Sequence, residues 1–182
     1  MWLFMYACYA LMALTYVGVV VTGLQGIFGF AVFGAPHPTV GFLTTIIYLF
    51  TQVLIIFYFI GTATSVREYV EDQANGAADG SGTDCDAAHG NGASAITRAK
   101  QLRGSVSGHI YLHILLFMAQ SIVGGAAVAQ AAPGWIHTAL VSAAFLYHHY
   151  VIAQQHRGFR VMTNLILEVT GMQDRTDGPD QR

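Results

Sequence analysis

The sequence predicts an all-α integral membrane protein, a four-helix bundle running up-down-up-down with both termini cytoplasmic. Three observations carry this. Hydrophobic residues make up 54% of the 182-residue chain and charged residues only 10%, where soluble domains carry roughly a quarter charged. Four apolar segments, at about 2–30, 39–66, 105–131 and 135–154, each reach the ~20 residues a helix needs to cross about 30 Å of hydrocarbon. Every Lys and Arg falls outside those segments.

The first segment opens directly on apolar residues, with no basic stretch before it and no small-residue cleavage site. It reads as a retained span and not a secretory signal. "FGAPHPT" follows, where Pro36 and Pro38 interrupt any helix. The second span ends near Glu68, Glu71 and Asp72, closing a transmembrane hairpin over 1–72. Residues 73–103, rich in Gly, Ala, Ser and Asp, have no hydrophobic period and read as a flexible cytoplasmic loop. Cys85 and His89 lie in it, and their spacing matches neither a disulfide framework nor a thiolate metal site. The "QAAPG" turn joins the third and fourth spans into a tight second hairpin over 104–156. Beyond it, Phe159, Met162, Leu165, Ile166 and Val169 recur at helical spacing in an extension over 157–182. Such an amphipathic stretch suits a membrane surface or a partner subunit.

The hairpin topology puts all eight basic residues on one side, and the positive-inside rule makes that side cytoplasmic. A bacterial-type inner membrane, crossed several times, is the expected location. A formal charge of -2 gives no reason to expect a nucleic-acid partner. The expected partners are the lipid bilayer and other subunits of a membrane complex. No nucleotide-binding glycine loop and no serine nucleophile motif is present, so independent turnover is not expected.

Seven of the eight histidines form two groups by height along the helices, the eighth being His89 of the 73–103 segment. His109, His113, His148, His149 and His156 lie toward the cytoplasmic end; His37 and His137 lie toward the external end. An imidazole in hydrocarbon is costly unless its nitrogens are satisfied, so each is a candidate ligand. Imidazole is also an axial ligand of haem iron. One haem b toward the inside would use His113 with His148 or His149; a second, toward the outside, would use His137 with His37. Gly124 and Gly125, with Ala143 and Ala144, would leave room for a porphyrin or let helices approach. His137 and His148 share a helix face about 16 Å apart in height. Tyr111, Tyr147 and Gln120 are candidate contacts for a quinone.

Two other readings remain open. His109, His113, His149 and His156 would suit a copper, iron or zinc site, with Glu68, Glu71 and Asp72 as further oxygen ligands. The chain would otherwise be a cofactor-free accessory subunit of a respiratory or photosynthetic complex. No Asp, Glu or Arg stands at mid-span, which argues against a proton pump or ion carrier.

The text "HTALVSAAFLYHHYVIAQQHRGFRVM" resembles the last helix of bacterial dihaem cytochrome b proteins, among them the b-type cytochrome subunits of membrane-bound hydrogenases. "YALMALTYVGVVVTGL" is similar to their first helix and "GHIYLHILLF" to their third. The resemblance implies a four-helix electron-transfer subunit that holds haem b and meets the quinone pool. His137 and His148 or His149 are the positions it would carry over. The first helix here contains no histidine, unlike that family's.

Overall fold

The computed structural model describes residues 2–78 and 85–171, with side chains described over 3–76 and 92–171. The chain is all-helical there. Its four helices are α1 (Trp2–Phe28), α2 (His37–Ala78), α3 (Cys85–Val128) and α4 (Gly134–Val169). Three of them contain stretches long and apolar enough to cross a membrane: Leu3–Phe28, His37–Gly76 and Gly92–Val128. The fourth is less apolar because its central turns hold His148, His149, Gln154 and Gln155. Large apolar side chains such as Leu3, Val17, Phe42, Phe50, Leu115 and Ile122 are exposed, an exterior suited to lipid.

The helix ends follow from local chemistry. Gly29 takes the left-handed conformation (φ 68°) that stops α1, its amide donating to the Gln25 carbonyl. At the end of α3, Ala131 N–H donates to the Ala126 carbonyl and Gln130 N–H to the Ala127 carbonyl, with Gln130 at φ 58°. That pairing is a Schellman cap. It turns the chain into α4 within five residues.

Two compact units are built from these helices. The first takes Met1–Ile56 and Ser107–Gln154. Its core is Tyr48, Phe117 and Ala144, with Val19, Leu49, Ile114 and Leu116 packed around them. Hydroxyl pairs tie its helices laterally: Thr15 to Thr51 at 3.0 Å, Thr22 to Thr44 at 3.1 Å and Thr45 to Ser121 at 3.1 Å. Thr51 and Thr22 each donate their own hydrogen one turn back, to the Ile47 and Gly18 carbonyls. They therefore accept from Thr15 and Thr44. In hydrocarbon such bonds bind helices where apolar packing gives no water-driven preference.

The second unit takes Phe57–Val106 and Gln155–Arg182. Tyr58, Phe59 and Phe159 form its aromatic core, with ring centres 4.8 to 5.4 Å apart. Gly158 is needed there, since a Cβ would stand 2.8 Å from Phe59 Cζ and 2.9 Å from Val106 Cγ2. Arg98 pairs with Glu168 at 3.1 Å on the surface.

This unit differs from two sequence expectations. The segment 73–103 is helical over 73–78 and 85–103, not a flexible loop. Its alanines explain this, because Ala is the strongest helix former. Ala95 and Ala99 are buried, and a Cβ on Gly92 would meet Val70 Cγ1 at 2.5 Å, so α3 packs tightly on α2 here. The side chains of Cys85 and His89 lie outside the described residues. The amphipathic stretch of α4 is also internal: Phe159, Met162 and Leu165 are all buried within the unit, not laid on a membrane surface or partner.

Candidate cofactor site

A cavity of about 530 Å³ lies inside the first unit, and all four helices contribute to its walls. That size falls within the roughly 300–1,000 Å³ common for cofactor sites. His37, the first residue of α2, and His137, in the first turn of α4, both line it. Glycines make the space. Gly23, Gly41, Gly124 and Gly125 border the cavity, and a Cβ on Gly124 would come within 2.6 Å of His137 Cε1. Thr44, Thr45, Gln120 and Ser121 supply a polar wall, and Phe117, Val141, Ala144 and Phe145 an apolar one.

The two imidazoles stand with ring centres 6.4 Å apart and planes at 62°. Two metal–imidazole bonds of about 2 Å each would put ring centres roughly 6 Å apart, so the spacing fits one ion between the rings. His137 Nδ1 lies 3.1 Å from the Gln120 carbonyl. A carbonyl only accepts, so Nδ1 carries the proton and Nε2 is left with its lone pair. This is the usual way a protein orients an imidazole toward a metal. His37 Nδ1 is buried with no hydrogen-bond partner. A haem placed in this cavity would be held by His37 and His137, and the spacing and the glycine cradle leave room for one.

The other histidines are held differently. His113 is fully buried, with Nδ1 2.6 Å from the Tyr48 hydroxyl and Nε2 3.3 Å from the Ala144 carbonyl. The carbonyl fixes the proton on Nε2, so Nδ1 accepts from Tyr48. Both nitrogens are engaged. His148 lies over His113 with centres 5.0 Å apart and planes at 24°. It is 2% exposed, and neither of its nitrogens has a partner. His149 donates from Nδ1 to the Phe145 carbonyl at 2.8 Å and accepts at Nε2 from the Tyr16 hydroxyl at 3.2 Å. His109 Nδ1 meets the Tyr147 hydroxyl at 3.0 Å. His156 belongs to the second unit and is exposed.

Among the described residues, no three His, Cys, Asp or Glu side chains gather as a metal set. The set of His109, His113, His149 and His156 is not brought together: tyrosine hydroxyls face the first three. Of the small residues named from sequence, Gly124, Gly125 and Ala144 line the cavity, whereas Ala143 is exposed. Of the candidate quinone contacts, Gln120 lines the cavity, Tyr147 is taken by His109 and Tyr111 is exposed. Sequence reasoning missed Tyr48 and Tyr16 as imidazole partners. A polar ring inside each apolar run was the available signal.

Comparison of the chain with family models, with curated proteins and with solved structures finds no match.

Proposed function

We propose that this chain is a membrane electron-transfer subunit that binds haem b between His37 and His137, within a larger redox complex that exchanges electrons with quinone. The observation that carries this reading is the pair of imidazoles 6.4 Å apart across a glycine-walled cavity. Haem supplies a reversible one-electron change at iron. The residues do the rest. Gln120 holds the His137 tautomer through its carbonyl. Gly124 leaves room for that ring. Phe117, Val141 and Phe145 exclude water, and the surrounding low dielectric sharpens every charge interaction at the site.

The fold reading belongs to the same proposal. All four helices cross a bacterial-type inner membrane in two hairpins, with both termini cytoplasmic. The basic residues of the sequence, all outside the apolar runs, support that orientation. At 42 residues, α2 is about 63 Å long by its rise, about twice the hydrocarbon thickness. Its far half therefore stands outside the bilayer, as do the corresponding parts of α3 and α4.

A second haem, between His113 and His148, has one observation in its favour: the two unpartnered nitrogens of His148. Against it, His113 would have to release both Tyr48 and Ala144. We assign one haem per chain. A reduced-minus-oxidised spectrum of the protein purified in detergent tests the proposal. The reading predicts a Soret and an α band that appear with dithionite. A featureless spectrum from protein made with ample haem supply would leave the accessory-subunit role in its place.

A further inference from the structure

The second unit divides its charge by helix. On α2, Arg67 pairs with Glu71 at 3.6 Å, and Glu68 and Asp72 adjoin them in sequence, all exposed. The helices α3 and α4 carry the reverse. Lys100 and Arg103 on α3 and Arg157 and Arg160 on α4 are exposed. Among the described residues, no carboxylate lies within ion-pair distance of any of them. Residues three apart on a helix share a face, so each helix presents its two cations together. The two pairs are also neighbours. A Cβ on Gly158 of α4 would stand 2.9 Å from Val106 Cγ2 of α3, and further along Arg98 of α3 pairs with Glu168 of α4. All four cations leave their helices between those two contacts or one residue from them. Like charges gathered at one seam repel one another, and an anion among them relieves this.

Their height selects the anion. The apolar segments of α3 and α4 begin at 105 and end at 154. At the helical rise, Arg103 and Arg157 stand about 3–5 Å beyond those points, and Lys100 and Arg160 about 8–9 Å beyond. A bilayer is about 40–45 Å thick around about 30 Å of hydrocarbon, so the polar layer on each face is about 5–8 Å deep. The four cations therefore stand at the level of lipid phosphates. Glu68, Glu71 and Asp72 follow the apolar segment of α2 at the same height, yet all three are kept to that helix. Fixing the orientation of the chain needs cations only somewhere on the cytoplasmic side; it does not need them sorted from the carboxylates in this way.

We propose that the seam between α3 and α4 binds the headgroups of anionic phospholipids in the cytoplasmic leaflet, with Arg103 and Arg157 nearest the hydrocarbon and Lys100 and Arg160 at the outer edge of the polar layer. Arginine suits this role because its fork takes two phosphate oxygens at once. The inference rests on the reading that the helices cross a membrane, and not on haem.

Full-length protein in mild detergent is titrated with phosphatidylglycerol, with phosphatidylcholine and with inorganic phosphate, and bound lipid is counted by native mass spectrometry. The proposal predicts that phosphatidylglycerol is retained, that phosphatidylcholine is not, and that free phosphate does not displace the bound lipid. Lys100→Gln, Arg103→Gln, Arg157→Gln and Arg160→Gln should each weaken phosphatidylglycerol binding about fivefold, the weight of one basic residue at an anionic surface. Arg67→Gln should leave it unchanged, because that cation already has a carboxylate. All five side chains are exposed, so each variant should keep its helix content by circular dichroism. Equal retention of the two lipids, or equal losses from Arg67→Gln and the seam variants, would overturn the lipid site and leave the membrane reading intact. Displacement by free phosphate would also overturn it, leaving a general anion site. Protein recovered from cells without detergent would overturn both readings.

Discussion

Two histidine pairs sit in the same helical unit and have opposite surroundings. His37 and His137 face each other at 6.4 Å across an open cavity, and His113 and His148 lie over one another at 5.0 Å in filled core. Glycine accounts for the first. Gly124 and Gly26 take the place of side chains that would crowd the rings. Tyrosine accounts for the second. The Tyr48 ring stacks on Phe117 with centres 4.2 Å apart, and its hydroxyl occupies the His113 nitrogen that a ligand would use. The same side chain thus becomes a ligand or a structural hydrogen-bonding group according to what its neighbours leave free.

The largest expected effect is at the cavity pair. His137→Ala should remove essentially all haem, measured by the α band per protein, while helix content stays at the wild-type level. Gly124→Ala comes next. Its Cβ would displace the His137 ring, and haem affinity should fall on the order of tenfold, read by haem titration of the apoprotein. At the packed pair, Tyr48→Phe should leave haem content unchanged. It should lower stability by about 1–3 kcal/mol, because a buried His113 nitrogen loses its donor; thermal unfolding in detergent measures this. His148→Phe should be neutral or stabilising by about 1 kcal/mol, since it removes two unpartnered buried nitrogens. A drop in haem stoichiometry in that variant would instead make the packed pair a ligand site. The smallest effect is Thr45→Val, which removes one interhelical hydroxyl contact at about 0.6 kcal/mol, again with haem unchanged.

How far the sequence reached differs between fold and site. Apolar runs and turn residues such as Pro36 and the "QAAPG" bend place the helix ends at the two short turns within a few residues, because hydropathy and backbone chemistry are local, but the opposite ends of α2, α3 and α4 run well past the apolar segments. The helical stretch through 85–103 was hidden. Its glycines and aspartates read as linker and outweighed the alanines that favour helix, of which Ala95 and Ala99 are buried. The heights of His113 and His148 could be counted from the bend between α3 and α4, and the two do meet. What they meet with could not be counted. Whether Tyr48 reaches His113 depends on how α2 is rotated about its own axis, and periodicity in α3 and α4 says nothing of that. His37 and His137 were paired by their common level; the cavity between them depends on glycines from α1, α2 and α3 converging.

Haem stoichiometry tests the proposal most directly. A pyridine haemochrome assay on wild-type protein, purified after expression with ample haem precursor, should return close to one haem b per chain. A value near zero from folded protein would contradict the site between His37 and His137.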